Sequence, residues 1–464
     1  MYNVPQHIDN NKVFIVQRSE MEGRLDPKMA LYNRKVQKSL YPKVKLKDVL
    51  VCKPQYGASE PGIPRSSIKE PRYIRITDID ENGLISHDEL GATAKIIEDK
   101  YILCENDILI ARSGATVGKA YIHKTASYTC FFAGYLIRFI INTDKALPEY
   151  IFTYTQLNAY KEWVYAIQRP SGQPNINSEE YQSLEIPLPN IEKQQVIVDV
   201  IKSAYLREKQ KESEAQKLLD SIDAYILNEL GITLPEIKTD LKNRIFKVNR
   251  SELEERLDPT VYKDGVKLSS NNCDNVRLSS VAYVNPTGTF KGKDIETPIS
   301  FIPMESIDEI YSEISKLEDT TLENASGFTK FKVGDLLWAK ITPCMQNGKS
   351  AIAKNLTNGL GCGSTEFFVM RPKDERLIIE YLHVILHMKC VRETAKLYFG
   401  GSAGQQRVSS AFLENFNLPL PPKDKQIEIA NHVYTIRQKA KALQEEGKVL
   451  LEEAKRKVES MIIG

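Results

Sequence analysis

Short apolar segments, interrupted by glycine, proline and asparagine, occupy most of the chain. Four of them, RYIRITDI from Arg72, DILIA from Asp107, GYLIRFII from Gly134 and DLLWA from Asp335, are rich in β-branched and aromatic residues, which is typical of strands. The stretch PEYIFTYTQLNAYKEWV from Pro148 has the character of a helix. Strands and helices mixed in this way predict compact α/β domains.

Two later segments have a different pattern. Residues 191–230 and 423–463 are dense in Lys, Glu, Gln, Ala and Leu and almost free of glycine and proline, which predicts two helices of roughly 60 Å each at 1.5 Å per residue. A heptad seam runs through Ile197, Ala204 and Lys211 in the first helix and through Ile429 and Lys457 in the second. Each helix could pack on its own domain. Helices this long overhang such a domain, however, so we expect them to pair antiparallel.

The chain also repeats itself. RSEMEGRLDP from Arg18 returns as RSELEERLDP from Arg250, an offset of 250 − 18 = 232 residues. The same offset places Gln194 over Gln426, and a slightly shifted one places Asp107 over Asp335. We interpret the chain as a tandem duplication of one unit of about 232 residues, in which RLDP forms a turn leading into each domain.

The repeat and the helical patterns together predict the domain organisation. We expect globular domains at residues 1–185 and 233–417, and long spacer helices at residues 186–232 and 418–464. The predicted fold class is α/β, with two tandem α/β domains separated by two long antiparallel coiled-coil helices in a pseudo-two-fold internal repeat.

Composition narrows the class of protein. A net charge of +2, from 63 Lys and Arg against 61 Asp and Glu, argues against a polycationic nucleic-acid coat, so any binding to nucleic acid must use local basic surfaces or a partner. No apolar run reaches the roughly 20 residues of a membrane helix, and the start of the chain lacks a signal-peptide pattern. The scattered cysteines predict reduced, mostly buried thiols. We therefore expect a cytoplasmic protein that does not contact a membrane.

No catalytic pattern is repeated, and the isolated matches are weak. GATVGKA from Gly114 has one residue too few between its glycines for a phosphate loop, and its counterpart has Pro343 at the first glycine position. His383 and His387 lie one helical turn apart without an acidic residue between them, so we interpret them as ordinary helix residues. FGGSAG from Phe399 is a poor methyl-donor loop, and no base-flipping motif of adenine methyltransferases is present. We expect no catalytic residue, metal or cofactor on this chain.

Polar loops with groups that recognise base edges are repeated instead. The loop in the first half offers Arg169, Ser171, Gly172, Gln173 and Asn175, and the loop in the second half offers Gly404, Gln405, Gln406 and Arg407. Arg pairs with guanine, Gln and Asn pair with adenine, and glycine lets the backbone approach the duplex closely. A simpler interpretation is a flexible polar turn. The same chemistry at the same place in both copies favours DNA recognition.

A second, basic loop precedes each of these polar loops. The candidates for phosphate contacts are Arg112, Ser113 and Lys119 in the first half and Lys340, Gln346 and Lys349 in the second.

This combination resembles the specificity subunit of type I restriction-modification systems. The resemblance rests on SGQPNIN from Ser171, on IPLPNIEKQQVI from Ile186, on LPLPPKDKQIEI from Leu418 and on the long helix that follows each of the last two. It covers essentially the whole chain. The second half departs from the pattern, because Ala403 replaces the serine before the glycine and RVSS replaces PNIN.

The resemblance implies a function and partners. Each globular domain is then a target-recognition domain, the two domains read the halves of an asymmetric bipartite double-stranded DNA target, and the helices set the distance between the halves. The family's subunit is not an enzyme. It binds two methyltransferase (M) subunits, which use S-adenosylmethionine, and restriction (R) subunits, which use ATP. A coiled-coil scaffold protein and a specificity subunit of a related non-type-I methyltransferase or restriction system are the alternatives.

Overall fold

A computed structural model describes residues 27–35, 39–86, 89–168, 173–235, 247–248, 250, 258–401 and 405–463 of the chain. Contacts between Cα atoms divide the chain into two compact units. Unit 1 comprises residues 1–210 and 446–464, and unit 2 comprises residues 211–445. Each unit therefore contains one globular part of the sequence repeat and segments of both long helical patterns.

The first half of the chain forms two four-stranded sheets, a two-stranded ladder and five helices among its described residues. Its elements, in chain order, are α1 (Pro27–Lys35), β1 (Lys43–Lys45), β2 (Gln55–Tyr56), β3 (Ile63–Pro64), β4 (Arg72–Ile74), β5 (Ala92–Thr93), β6 (Ile108–Ala111), β7 (Ala120–Ile122), β8 (Cys130–Phe132), β9 (Leu136–Phe139), α2 (Pro148–Thr155), α3 (Asn158–Ile167), α4 (Ser178–Gln182), β10 (Glu185–Pro187) and α5 (Ile191–Glu229). The strand orders are β3-β5-β4-β8, β2-β9-β6-β7 and β1-β10.

The second half of the chain has a corresponding set of elements. In chain order they are α6 (Pro259–Asp264), β11 (Asp274–Arg277), α7 (Leu278–Val281), β12 (Ala282–Val284), β13 (Pro298–Ile302), β14 (Glu318–Thr321), β15 (Thr329–Lys332), β16 (Leu336–Ala339), α8 (Cys344–Asn347), β17 (Ser350–Ile352), β18 (Leu360–Gly363), β19 (Phe367–Pro372), α9 (Ile379–His387), α10 (Lys389–Lys396), β20 (Phe399–Gly400), β21 (Arg407–Val408), α11 (Ser410–Glu414), β22 (Asn417–Leu420) and α12 (Lys423–Ile462). The strand orders are β14-β13-β18-β15, β12-β19-β16-β17, β11-β22 and β20-β21.

The strand orders confirm the duplicated α/β fold. The order β2-β9-β6-β7 returns as β12-β19-β16-β17, and the parallel pair of β4 and β8 returns as the parallel pair of β13 and β18. The long helices end within one residue of their predicted limits, at Glu229 and Ile462. The predicted domain boundaries remain sequence-based expectations.

Three local expectations need correction. The helical run predicted from Pro148 is two helices, because the chain breaks at Gln156 and Leu157 between α2 and α3. The Asp-Pro pair of RLDP starts a helix in the second half, where the Asp258 carboxylate accepts a hydrogen bond from the Thr260 amide at 3.0 Å. Residues 24–26 of the first RLDP and residues 256–257 of the second lie outside the described residues. The cysteines are all free, as expected, but only two are buried, namely Cys130 and Cys362.

Both long helices contribute to the core of each unit. In unit 1, Ile197 from the start of α5 and Val458 from the end of α12 are fully buried in one cluster with Trp163. In unit 2, Ile226 from the end of α5 and Ile429 from the start of α12 are fully buried in one cluster, which also contains Trp338. The start of one helix packs with the end of the other in each unit, as the predicted antiparallel pairing requires.

The seam of α12 changes register near its end. Gly447 lies against α5, since a Cβ atom placed on it would be 3.3 Å from the Cα atom of Glu208. After this close approach the buried positions are Leu451, Ala454, Val458 and Ile462, whereas Lys457, which the heptad pattern placed in the seam, is exposed. The prediction was wrong here because a straight α-helix has 3.6 residues per turn and drifts away from a strict repeat of seven.

A buried glutamine ties each long helix to its globular part. The Gln194 side chain accepts a hydrogen bond from the Leu147 amide just before α2 and donates one to the Pro189 carbonyl just before α5, both at 2.8 Å. Gln426 accepts from the Ile378 amide just before α9, at 2.9 Å, and donates to the Arg376 and Pro421 carbonyls. Both glutamines are fully buried. The repeated glutamine therefore supplies partners for main-chain groups at helix starts, which lack partners within their own helices.

A second repeated pair links β16 to β19 and β6 to β9. The Asp335 carboxylate, 1% exposed, accepts two hydrogen bonds from the Arg371 guanidinium at 2.7 Å. In unit 1 the Arg138 guanidinium is 3.5 Å from the Asp107 carboxylate, and burial raises the pKa of Asp107. The repeated Asp–Arg pair, 31 residues apart in unit 1 and 36 residues apart in unit 2, therefore has a structural role.

None of the helices among the described residues combines sufficient length with sufficient apolar character to cross a bilayer.

The first prediction concerns Gln194. Replacing it by Leu keeps the volume roughly constant but leaves the Leu147 amide and the Pro189 carbonyl without this partner, so we expect unit 1 to lose about 2–4 kcal/mol of unfolding free energy. Urea unfolding followed by Trp163 fluorescence in a Trp338→Phe background measures this, because the chain has 2 tryptophans. Gln195→Leu, on the exposed face of the same turn, is the control. Equal stability of the two variants would contradict the prediction.

The second prediction concerns Asp335. Asp335→Asn leaves the half-buried Arg371 guanidinium without its counter-charge, and we expect a loss of roughly 3–5 kcal/mol in unit 2. Trp338 fluorescence in a Trp163→Phe background reports this unfolding. The control is Asp374→Asn, which breaks the solvent-exposed pair with Arg376. If the transition midpoint moves equally in both variants, burial of the ion pair does not determine its contribution to the stability of unit 2.

Candidate nucleic-acid interface

The loop between β6 and β7, residues 112–119, is held at both ends by buried tyrosines. The Tyr181 hydroxyl donates to the Ala111 carbonyl at 2.7 Å, and the Tyr160 hydroxyl donates to the Gly118 carbonyl at 2.8 Å. Gly118 has a φ of 87° and packs so closely that a Cβ atom on it would be 2.7 Å from Val164. This loop, here called hairpin loop 1, therefore has a fixed base and a glycine that other residues cannot replace without strain.

Hairpin loop 1 pairs with residues 173–176, here called glutamine segment 1. The Ile176 amide donates to the Arg112 carbonyl at 2.8 Å, and the Gly114 amide donates to the Pro174 carbonyl at 3.0 Å. Ser113 and Asn175 form an antiparallel bridge between these bonds. The structure thus brings together residues from two loops that are about 60 positions apart in the sequence.

The candidate side chains of unit 1 lie on and beside this pairing. The Arg112 guanidinium lies over the Tyr56 ring, 5.0 Å from its centroid, in a cation–π contact. The Arg112 Nε has no hydrogen-bond partner within the part of the chain that the structure describes. Gln173 and Asn175 are exposed, and Lys119 at the far end of the loop is half-buried. Arg169, Ser171 and Gly172 lie outside the described residues.

Unit 2 repeats the same backbone pairing. Hairpin loop 2, residues 340–349, connects β16 to β17 and contains α8. It pairs with residues 405–408, glutamine segment 2, since the Val408 amide donates to the Lys340 carbonyl at 2.9 Å and the Thr342 amide donates to the Gln406 carbonyl at 3.0 Å. Ile341 and Arg407 form the bridge between them. Arg407 therefore occupies the position of Asn175, at the offset of 407 − 175 = 232 that the sequence repeat predicts.

The side chains on this shared backbone differ between the units. Arg407 forms a two-pronged ion pair with Glu366, with an Nη2–Oε1 distance of 2.8 Å and an Nε–Oε2 distance of 2.9 Å. Gln405 is exposed, Gln406 is half-buried, and Gly404 lies outside the described residues. The two candidate interfaces therefore present different groups on the same backbone.

The basic candidates of hairpin loop 2 are not equivalent. Lys349 is half-buried, and its ammonium donates to the Met304 carbonyl at 3.3 Å and lies 3.9 Å from Glu309. Lys340 lies over the Phe368 ring, 5.4 Å from its centroid. The Gln346 carbonyl accepts a hydrogen bond from Arg392. Lys340 is therefore better placed than Lys349 to meet a phosphate, although each assignment stays a prediction.

Lys340 also lines a cleft of about 800 Å³ in unit 2. Lys291 and Lys330 line it as well, together with Phe290 and Phe328, and none of its lining residues among those described is acidic. Ammonium groups beside aromatic rings can contact both the phosphates and the bases of a nucleic acid. The cleft extends the candidate interface beyond the two loops.

The two histidines of HVILH are engaged by the protein. A His383 ring nitrogen is 3.0 Å from the Ser350 hydroxyl, and a His387 ring nitrogen is 3.2 Å from the Glu309 carbonyl. Burial, with a contribution from Arg437, lowers the pKa of His383 to about 3, and burial lowers the pKa of His387 well below its usual value. Both rings are therefore neutral near pH 7. No group of three or more His, Cys, Asp or Glu side chains that could hold a metal ion occurs among the described residues.

Several interface residues carried no signal in the sequence. Glu366 lies just before β19, and Tyr56 lies in β2, both far along the chain from the loops that they contact. Lys291 and Lys330 come from ordinary polar segments. The only sequence signal for these residues is that the neighbouring strands of the first half align weakly with those of the second half.

Comparison with known families identifies the class of protein. Residues 72–220 and 271–452 match the type I restriction modification DNA specificity domain. Because these two regions cover most of the chain, the chain belongs to this family.

Two specificity subunits of Escherichia coli are similar to parts of the chain. The type I restriction enzyme EcoEI specificity subunit is 36% identical over 159 residues, which are 33% of this chain and 26% of the relative. The type I restriction enzyme EcoAI specificity subunit is 35% identical over 183 residues, which are 38% of this chain and 29% of the relative. The similar regions thus span less than a third of the length of these relatives.

A solved structure extends the similarity to nearly the whole fold. A chain from a structural study of complex assembly and conformational transition of the type I R-M system has a TM-score of 0.50 and 17% identity to this chain. The similarity covers 92% of this chain and 97% of that one. It shows that the two folds correspond.

Proposed function

We propose that this chain is the non-catalytic DNA-recognition subunit of a type I restriction-modification complex, and that its two interfaces read the two halves of an asymmetric bipartite target. The observation that carries the proposal is the repeated pairing of a hairpin loop with a glutamine segment. The backbone of this pairing is the same in both units, while Asn175 in one is replaced by Arg407 in the other. The same backbone with two different sets of side chains is suited to the recognition of two different half-sites.

The chemistry of these side chains supports DNA as the ligand. Gln173 and Asn175 are exposed, and the amides of Gln and Asn pair with the N6 and N7 atoms of adenine. The Arg407 guanidinium can donate hydrogen bonds to the O6 and N7 atoms of guanine. Lys119 and Lys340 lie at the ends of the hairpin loops, and their ammonium groups are the proposed phosphate contacts. Phosphate contacts hold the duplex, and base contacts select its sequence.

The partners follow from the family. The proposed complex contains two methyltransferase subunits, which bring S-adenosylmethionine, and restriction subunits, which bring ATP, and it acts in the cytoplasm. A net charge of only +2 is compatible with tight DNA binding if the methyltransferase subunits provide further phosphate contacts. Base flipping and methyl transfer then belong to those subunits.

The spacing of the half-sites is proposed to depend on α5 and α12. Each of these helices is about 60 Å long, at 39 and 40 residues, and each contributes buried residues to both units. A helix pair of fixed length would keep two DNA-reading surfaces at a fixed separation.

The third prediction tests the interface of unit 1. Gln173→Ala should relax base preference in one half-site only, by about 1–3 kcal/mol of discrimination, because a two-point contact to one base is lost. Lys119→Ala should weaken binding to all sequences and reduce the slope of log K against log salt by about one. The measurement is a binding selection on randomised bipartite duplexes with the full chain and its methyltransferase partner.

Gln195→Ala, on the exposed face of α5, is the control for Gln173→Ala and should leave both half-sites unchanged. If the parent complex selects no bipartite sequence, the proposed function is wrong. If Gln173→Ala alters both half-sites, the assignment of one interface to one half-site is wrong.

The fourth prediction tests the spacing role of the helices. Inserting three heptads after Lys211 and three after Leu443 keeps the seam in register and lengthens the pair by about 32 Å. This is close to one turn of B-DNA, so both half-sites should be retained with a spacer about 10 base pairs longer. Methylome sequencing of cells that carry the variant measures the spacer.

A four-residue insertion at the same two points is the matched control, since it disrupts the heptad register. We expect it to abolish methylation of both the old and the lengthened target. A three-heptad variant that still methylates the original target would show that the helices do not set the spacing.

A further inference from the structure

Glu366 fixes the position of the Arg407 side chain in unit 2. Its two carboxylate oxygens accept hydrogen bonds from Arg407 Nε at 2.9 and 3.1 Å and from Nη2 at 2.8 Å. Arg407 Nη1 donates to the Gln405 carbonyl at 2.9 Å. The guanidinium is thus held on two sides, and little of the rotational freedom of a long arginine side chain remains.

The backbone of Glu366 is itself well fixed. Its carbonyl accepts a hydrogen bond from the Lys340 amide at 2.9 Å, at the start of hairpin loop 2. Its amide contacts the Ser364 hydroxyl at 3.2 Å, and its side chain is only 20% exposed. Because Phe367 follows as the first residue of β19, the main chain that carries the Glu366 side chain is fixed by the sheet.

Arg407 retains donors that the protein does not use among its described residues. A guanidinium has five N–H groups in a planar fork. The carboxylate takes the edge formed by Nε and Nη2, and the Gln405 carbonyl takes one hydrogen of Nη1. Among the described residues, no partner is assigned to the last two hydrogens, one on each terminal nitrogen. Donors on the two terminal nitrogens of an arginine can match the O6 and N7 acceptors of guanine in the major groove.

The charge of the pair distinguishes a base contact from a phosphate contact. Glu366 and Arg407 together are neutral, and a carboxylate next to the guanidinium repels a phosphate oxygen. Sequence-independent binding, which depends on cations at phosphates, therefore gains little from this arginine. A hydrogen-bond fork held in one orientation still discriminates between bases.

We propose that Glu366 is a positioning residue that aims Arg407 at a guanine in the half-site read by unit 2. This rests on the proposed function of the chain. The arrangement is specific to unit 2, since the backbone position of Glu366 is taken in unit 1 by Tyr135, whose carbonyl accepts from the Arg112 amide at 3.0 Å and whose side chain is 64% exposed. Unit 1 thus has an aromatic side chain at the place of the carboxylate, and Asn175 at the place of the arginine.

The test compares Glu366→Ala, Glu366→Gln, Arg407→Ala and the double variant Glu366→Ala/Arg407→Ala. Each is used as the full chain with its methyltransferase partner in a binding selection on randomised bipartite duplexes. We expect all four to lose preference for guanine at the same single position, by roughly 5- to 150-fold, and to leave the other half-site unchanged. The double variant should be no less selective than Arg407→Ala alone, because the two substitutions remove the same contact to guanine.

Salt dependence separates positioning from charge removal. Glu366→Ala leaves Arg407 free to contact phosphates, so binding to unrelated DNA should strengthen and its log–log salt slope should steepen by up to about one. The double variant, in which both charges are removed, should retain the salt slope of the parent. Asp374→Ala is the control, since Asp374 forms a similar two-pronged pair with Arg376 in the same unit and should change neither preference nor slope.

Each outcome is decisive for one of the two proposals. A parent complex without a bipartite preference overturns the proposed function. If that preference exists, three results overturn the role of Glu366: unchanged selectivity in both Glu366 variants, effects at a base position different from that of Arg407→Ala, or a preferred base other than guanine there. Fluorescence melts of Trp338 in the Trp163→Phe background verify folding, and Glu366→Gln, which keeps the size of the side chain, supplies the result if Glu366→Ala does not fold.

Discussion

The structure of each unit depends on one buried glutamine that joins a long helix to a globular part. Gln194 and Gln426 each use the carbonyl and the amide of one side chain to satisfy main-chain groups on two different elements. The loop geometry, the sheets and the candidate interfaces all lie on the globular side of this connection. If a globular part could tilt on its helix, its candidate interface would not keep a defined direction. Specific binding at that interface would therefore require this connection to be rigid.

The interfaces combine a constant backbone with variable side chains. Main-chain hydrogen bonds fix hairpin loop 1 on glutamine segment 1 and hairpin loop 2 on glutamine segment 2. Such bonds do not depend on side-chain identity, so the residues at the bridge positions can differ. Among the described residues, no side-chain partner is assigned to Asn175, whereas Arg407 is held by the carboxylate of Glu366, just before β19. The two units thus use the same geometry with different degrees of support from the residues around it.

The sequence predicted the parts of the fold that follow from local composition and from the repeat. The long helices and the duplicated order of elements were predictable because helix-forming composition and a constant offset are visible without knowledge of packing. The buried position at Val458 was not predictable, since the buried face of α12 drifts away from a strict repeat of seven after Gly447. Glu366 was not predictable either, because only tertiary structure brings it to Arg407, 41 residues away. The loop candidates stay predictions, and four of them, Arg169, Ser171, Gly172 and Gly404, lie outside the described residues.

The backbone pairing of the loops also bears on how such a chain changes over generations. A mutation at an exposed position of residues 173–176 or 405–408 alters the chemistry of the surface but not the bonds that hold the segment, because those bonds use amides and carbonyls. New side chains are therefore tolerated one at a time without loss of the fold. A lineage can drift to a new recognition surface in one half while the other half, built on its own copy of the same frame, remains as it was.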